Sequence, residues 1–168
     1  FLYITARAVK ARTIVEFGTS FGVSTIYLAA AARDNGGGRV IGSEIEPAKQ
    51  ARAVANLAEA GLGDLAEVRL GDAMQTLRDV PGPVDLVFMD GWKVLYLPLL
   101  RQLQPRLAPG AVLLADNIRS FRSSLTEFLD YLHSGENGFH SVTLGFGDGL
   151  EYAVYLGTGV DDRARASQ

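Results

Sequence analysis

Two apolar runs late in the chain each end in side chains that could do chemistry. Asp90 follows the run 84–89, and Asp116 and Asn117 follow the run 111–115. If both runs are neighbouring parallel strands, their carboxyl ends share one edge of the sheet. Two carboxylates and an amide oxygen suit Mg²⁺, Ca²⁺ or Mn²⁺. The alternative is that Asp90 and Asp116 only cap the helices that follow.

Three earlier strand ends carry groups that could hold a nucleoside. In the first, Gly18 permits a sharp turn and Gly22 permits close backbone approach to a ligand. Glu44 ends the second run and could accept hydrogen bonds from both ribose hydroxyls. Asp72 follows the third and could accept one from an adenine amine. The alternative is that Glu44 and Asp72 are acids favoured at helix N-termini.

The residues around this loop favour S-adenosylmethionine over other nucleosides. Ser20 stands where a dinucleotide-binding loop has its second glycine, and no Walker sequence follows the first strand. No basic residue lies between Glu16 and Ala32 to meet a phosphate. Acidic groups suit S-adenosylmethionine, because this cofactor has a sulfonium cation and no phosphate. We assign the following residues to the cofactor side: Glu16, Gly18, Ser20, Gly22, Glu44, Asp72, Ala73 and Asp90.

The elements that must position these residues predict an α/β fold. Short β-branched runs alternate with amphipathic stretches, and the run 84–89 is almost continuously apolar, as in a strand covered on both faces. The last two runs, 139–146 and 150–156, are joined by a short glycine turn, which predicts an antiparallel hairpin. The sequence therefore predicts a Rossmann-like, doubly wound, mostly parallel seven-stranded sheet with a C-terminal hairpin.

Helical spacing predicts which faces of three helices are buried. The predicted stripes are Val23, Ile26, Tyr27 and Ala30; then Tyr96, Leu100, Leu103 and Leu107; then Phe121, Leu125, Phe128 and Leu132.

Bulk composition limits the classes of function. The 168 residues fit one domain (1–168), and their net charge of −3 argues against nucleic acid or an anionic membrane as partner. The absence of cysteine excludes thiolate chemistry and fits a cytoplasmic protein. We expect a mobile tail over 157–168 and a missing N-terminal helical segment. A homodimer is one option for an oligomeric state that the sequence leaves open.

The later motifs resemble the catechol O-methyltransferase family over nearly the whole chain. The resemblance begins at Glu16–Gly22 and continues through Glu44 and Asp90-x-Trp-Lys93. It extends through Leu-Leu-Ala-Asp116-Asn117 to the Asp-Gly-Leu-Glu sequence at 148–151. The combination of Asp-x-Trp-Lys with Leu-Leu-Ala-Asp-Asn is far more specific than the glycine loop.

The resemblance implies roles for individual residues. Asp90, Asp116 and Asn117 would bind a divalent metal that holds two adjacent oxygens of the acceptor. Lys93 would take the proton from the hydroxyl that is methylated, because burial beside a dication lowers a lysine pKa. Trp92, Lys93 and Asn117 would contact the acceptor.

Two features depart from the family. Its catechol enzymes hold the second hydroxyl with a glutamate, but Val142 occupies that position here. We expect the family's N-terminal helices, which help close the acceptor pocket, to be mostly missing from this sequence. Arg119 could meet an acidic acceptor, although a solvated arginine is the simpler interpretation.

The sequence thus predicts a metal-assisted O-methyltransferase for a small molecule with vicinal oxygens, a diphenol or another hydroxylated aromatic. A metal-independent methyltransferase with an amine acceptor and a non-catalytic S-adenosylmethionine-binding module are the alternatives. A nicotinamide oxidoreductase is disfavoured by Ser20.

Overall fold

A computed structural model describes residues 1–157 of the chain. Most of the predicted mobile tail, residues 158–168, lies outside the described residues. The helices are α1 Leu2–Ala8, α2 Val23–Asp34, α3 Pro47–Glu59, α4 Ala73–Thr76, α5 Tyr96–Leu103 and α6 Thr126–His133. The strands are β1 Thr13–Phe17, β2 Arg39–Glu44, β3 Ala66–Leu70, β4 Val84–Met89, β5 Leu107–Ala115, β6 Phe139–Leu144 and β7 Leu150–Tyr155.

The seven strands form one sheet in the order β3-β2-β1-β4-β5-β7-β6. The first five are parallel, whereas β7 is antiparallel to both β5 and β6. The predicted doubly wound sheet with a C-terminal hairpin is therefore confirmed. The order in which successive strands join the sheet reverses between β1 and β4. Ligands bind at this point in folds of this kind.

The register of the central strands aligns the ends that carry polar residues. Phe17 pairs with Met89, and Met89 pairs with Ala115, so that β1, β4 and β5 end side by side. The next residues continue this alignment: the Asp90 amide donates to the Phe17 carbonyl at 2.8 Å. The Asp116 amide likewise donates to the Met89 carbonyl at 2.9 Å. The expected convergence of Asp90 and Asp116 follows from this register.

The sheet separates two apolar cores. Helices α5 and α6 contribute fully buried residues such as Leu100 and Leu132 to one core. Helices α2 and α3 contribute Leu28 and Leu57 to the other. Burial on both faces explains why β4 is apolar at every residue except Asp85.

Three predicted helix faces need correction. In α2, Val23 and Tyr27 are 66% and 57% exposed, and the buried residues are Thr25, Leu28, Ala29, Ala31 and Ala32. Small alanines allow α2 to lie close to the sheet, and spacing alone does not distinguish this face from the bulkier one. Helix α5 ends at Leu103, so Leu107 begins β5 rather than extending the helix. Phe121 precedes α6 and is 46% exposed.

Among residues 1–157, no helix combines the length and the apolar composition needed to cross a membrane.

Candidate functional site

A buried carboxylate lies in the first strand. Glu16 has no exposed surface, and its Oε2 accepts hydrogen bonds from the hydroxyls of Thr19, at 2.9 Å, and Thr25. Burial raises the pKa of Glu16, and hydroxyls of the following turn, that of Ser24 first among them, oppose that rise. Glu16 Oε1 has no hydrogen-bond partner among the described residues. The site therefore holds a buried acceptor that a ligand's hydrogen-bond donor would satisfy.

The loop after β1 turns sharply at Gly18. Its φ is +92°, and a Cβ there would lie 2.7 Å from the backbone carbonyl of Asp90. This close approach of two strand ends requires glycine. Gly22 also has a positive φ, but its Cβ position faces Ala53 of α3 at 3.1 Å. Packing against α3 thus accounts for the glycine that the sequence assigned to ligand approach.

Glu44 joins the end of β2 to this loop. The Ser20 amide donates to Glu44 Oε2 at 2.7 Å, and the Glu46 amide donates to Glu44 Oε1 at 2.9 Å. A carboxylate oxygen can accept two hydrogen bonds, so each retains capacity for one more. Ser20 adopts φ +49°, which turns its amide toward the carboxylate. Glu44 is therefore oriented by backbone and can still accept two donors.

Asp72 caps the short helix α4. Its Oδ1 accepts a hydrogen bond from the Met74 amide at 2.9 Å, as the helix-capping alternative expects. Asp72 is exposed and the following Ala73 is buried. One oxygen of the Asp72 side chain is left for a ligand.

Lys93 lies where the oxygen-bearing side chains after β4 and β5 meet. Its Nζ donates to Asn117 Oδ1 at 3.0 Å and lies 3.6 Å from Asp90 Oδ1. The Lys93 side chain is only 9% exposed. Asn117 adopts φ +62°, and its amide donates to Asp116 Oδ1 at 2.7 Å. Lysine, both aspartates and the asparagine thus form one cluster.

Burial and charge act in opposite directions on this cluster. Burial lowers the pKa of Lys93, while the charges of Asp90 and Asp116 act to raise it. Burial raises the pKa of Asp90; the Lys93 charge opposes this rise and the Asp116 charge adds to it. Two nearby carboxylates disfavour each other's ionisation, and a cation placed between them removes this repulsion.

The alternative that Asp90 and Asp116 cap helices is wrong. The 3₁₀ turns Lys93–Leu95 and Arg122–Ser124 begin after Trp92 and Phe121, and neither is capped by a side chain. The two aspartates are therefore free of that structural role.

The Tyr96 hydroxyl contacts Lys93, and the sequence did not reveal this contact. Lys93 Nζ donates to the Tyr96 hydroxyl at 2.6 Å, and that hydroxyl donates to the Met89 carbonyl at 2.8 Å. Tyr96 has no exposed surface, and burial raises its pKa, so the hydroxyl stays protonated. Helical spacing identified Tyr96 as a core residue; the three-residue separation from Lys93 was the available signal for the contact.

An apolar rim formed by Trp92, Val94 and Phe121 surrounds the cluster. Trp92 is 74% exposed, and Lys93 Nζ lies 5.5 Å from the centroid of the Phe121 ring. Val142, at the position of the family's second-hydroxyl glutamate, is half exposed on β6. The structure brings Lys93, Asp90, Asp116 and Asn117 together and leaves Trp92 at their edge.

No group of three His, Cys, Asp or Glu side chains able to hold a metal occurs within residues 1–157. The predicted set has two carboxylates, from Asp90 and Asp116, and one amide oxygen, from Asn117.

Comparisons with known proteins agree with this geometry. A family model described as a methyltransferase domain matches residues 15–118. A protein named catechol O-methyltransferase from Mycobacterium tuberculosis is 41% identical over 122 residues, 70% of this chain and 53% of that protein. The chain spans about half the length of this protein and of a second relative with that name, from Niastella koreensis.

Solved structures show the same fold. The O-methyltransferase TomG from Streptomyces achromogenes, in complex with SAM, superposes with a TM-score of 0.84 at 28% identity. The match covers 93% of this chain and 78% of TomG. Together with the strand order and the family match, these likenesses show that the chain belongs to the methyltransferase domain family and is of the catechol O-methyltransferase-like type.

Proposed function

We propose that this protein is an S-adenosylmethionine-dependent, divalent-metal-assisted O-methyltransferase that acts on a small molecule with vicinal oxygens. A diphenol or another hydroxylated aromatic is the acceptor class. The observation that carries the proposal is the position of Lys93, which is nearly buried between Asn117 and Asp90.

The loops that follow β1 and β2 are the proposed cofactor site. Glu16 Oε1 lacks a partner and suits a cationic donor, while Glu44 can accept two hydroxyl donors. S-adenosylmethionine has both an ammonium group and a ribose diol, and it supplies the methyl group when bound. The proposed cofactor residues are Glu16, Gly18, Ser20, Gly22, Glu44, Asp72, Ala73 and Asp90.

The oxygens of Asp90, Asp116 and Asn117 fit a hard divalent cation. This fit rests on their grouping: Asn117 Oδ1 and Asp90 Oδ1 both face the Lys93 ammonium, so the cluster already stabilises positive charge. When bound, a cation such as Mg²⁺ would acidify an acceptor hydroxyl and neutralise the paired aspartates.

Lys93 is the proposed general base. Burial lowers its pKa, which raises the fraction of neutral amine available to take a proton from the acceptor hydroxyl. The resulting ammonium is stabilised by Asp90 and Asn117, and the Tyr96 hydroxyl holds the nitrogen in place. Lys93 and Asn117 would face the acceptor, with Trp92 against its ring.

Replacing Glu44 tests the cofactor assignment. We expect Glu44→Ala to weaken S-adenosylhomocysteine binding by about 1–3 kcal/mol, because two hydrogen bonds to a charged acceptor are lost. Isothermal titration calorimetry measures this directly. Glu59→Ala, on the exposed end of α3, is the matched control and should bind as wild type.

The wild-type protein should also gain thermal stability from S-adenosylhomocysteine and none from NAD. Stabilisation by NAD alone would contradict the assignment and favour the oxidoreductase alternative.

A further inference from the structure

The segment Asn117–Phe121 borders the reaction site at both ends. Asn117 Oδ1 accepts from Lys93 Nζ at 3.0 Å, and the Phe121 ring centroid lies 5.5 Å from the same nitrogen. Arg119 lies midway, two residues from each. Because two residues of chain span at most about 7 Å, the Cα of Arg119 lies within that distance of the Cα of Asn117.

The Arg119 side chain lies over the turn between β6 and β7. Its amide donates to the Asp148 carbonyl at 2.8 Å. A Cβ on Gly149 would lie 2.9 Å from Arg119 Cγ, and one on Gly145 would lie 3.2 Å from Nη2. The glycines of this turn thus leave room for the whole Arg119 side chain, and the hydrogen bond of its amide fixes the position of its backbone.

The nearest acid does not neutralise this arginine. The Asp148 carboxylate accepts from the Ser120 hydroxyl at 2.8 Å and lies 3.4 Å from the Ser120 amide. Within the described part of the chain, Arg119 forms no ion pair, in contrast to Arg39 and Arg69. The guanidinium, which lies along the turn between β6 and β7, therefore remains available to a ligand.

One negative charge near Lys93 would repel an anionic acceptor. Asp90, Asp116 and Asp148 all act on Lys93 as negative charges, and the proposed divalent cation would neutralise only the first two, which leaves Asp148. An acceptor that carries a carboxylate therefore needs a cation on its outer side, and Arg119 is placed to supply it. A guanidinium can bind a carboxylate through two parallel hydrogen bonds, which also fixes the orientation of the ring.

We propose that Arg119 binds a carboxylate of the acceptor, so that the preferred acceptors are vicinal diphenols bearing an acid group. This inference rests on the proposed O-methyltransferase function and specifies its substrate class. It assigns to Arg119 the selection between acceptors rather than the transfer step itself.

The test compares two acceptors of nearly equal shape, 3,4-dihydroxybenzoate and the neutral 3,4-dihydroxybenzamide. For the wild-type enzyme we expect kcat/KM to favour the benzoate by about tenfold, the scale of one charge-assisted contact at an exposed site. Arg119→Gln should bring the ratio of the two kcat/KM values close to one. Arg119→Lys should retain part of the preference, because it keeps the charge and loses the bidentate geometry.

Arg78→Gln is the matched control. Arg78 is exposed, and its carbonyl accepts from Arg106 Nη2 just before β5 begins, at the edge of the sheet opposite Asp90 and Asp116, so its loss should leave the ratio unchanged. A wild-type ratio near one, or a ratio insensitive to Arg119→Gln, would overturn the inference while leaving the O-methyltransferase proposal intact. Failure to methylate any vicinal diphenol would contradict both.

Discussion

Replacing Lys93 by methionine should lower kcat by about 10²–10⁴-fold, the usual contribution of a general base. Methionine preserves the length and the apolar stem of the side chain but cannot accept a proton. The nitrogen that it removes is the one that contacts Asn117, Asp90 and Tyr96. Steady-state kinetics with a diphenol acceptor, together with calorimetry of S-adenosylhomocysteine, separates the loss of turnover from any loss of cofactor binding.

Cofactor affinity should stay within about threefold of wild type in Lys93→Met, because Glu16 and Glu44 lie on β1 and β2 rather than after β4. Lys10→Met, in the turn between α1 and β1, removes an exposed lysine far from the cluster and should retain full turnover. Wild-type turnover in Lys93→Met would remove Lys93 from the mechanism.

Removing the divalent cation should abolish activity. We expect EDTA to reduce turnover to background, and excess Mg²⁺ or Mn²⁺ to restore it. Two carboxylates and one amide oxygen would fill about half of an octahedral shell, which leaves room for two acceptor oxygens. Without the cation, the charges of Asp90 and Asp116 would also oppose formation of a phenolate beside them.

Asp116→Asn provides a binding test that does not depend on turnover. It keeps an oxygen and the side-chain volume but loses one negative charge, so Mn²⁺ affinity measured by electron paramagnetic resonance should fall at least about tenfold. The affinity of this variant for S-adenosylhomocysteine should equal that of the wild type. Asp64→Asn, an exposed acid before β3, is the control for nonspecific loss of charge. Full activity in EDTA would exclude the metal and favour the metal-independent alternative.

The sequence predicted the sheet well because buried strands consist mainly of apolar residues. Strand β4 is apolar except at Asp85, and the glycine turn between β6 and β7 marks the hairpin. The order of the strands then places Asp90 beside Asp116, so their convergence could be expected before the register was known.

Helix faces and boundaries were less predictable. Helix α2 has two candidate faces at helical spacing, and the choice depends on how closely the helix approaches β1 and β2, a tertiary property. The change from α5 to β5 occurs over the 3₁₀ turn Gln104–Arg106, where Leu107 continues the apolar pattern of the helix while belonging to the strand.

Contacts within the site were the hardest to predict. The hydroxyls of Thr19 and Thr25 partner Glu16, and the Tyr96 hydroxyl partners Lys93, but threonine and tyrosine at these positions have many other uses. A carboxylate in a strand predicted to be buried does require donors, and the hydroxyl-rich turn after β1 was the signal available.

Transfer of a labelled methyl group is the most direct test of the central claim. The protein is incubated with S-[methyl-¹³C]adenosylmethionine, Mg²⁺ and 3,4-dihydroxybenzoate, and the products are analysed by NMR and mass spectrometry. We predict that ¹³C appears on a phenolic oxygen, with one S-adenosylhomocysteine formed for each methyl ether. Tight binding of S-adenosylmethionine without transfer to this acceptor or to a broad panel of phenols would contradict the claim and identify a binding module instead.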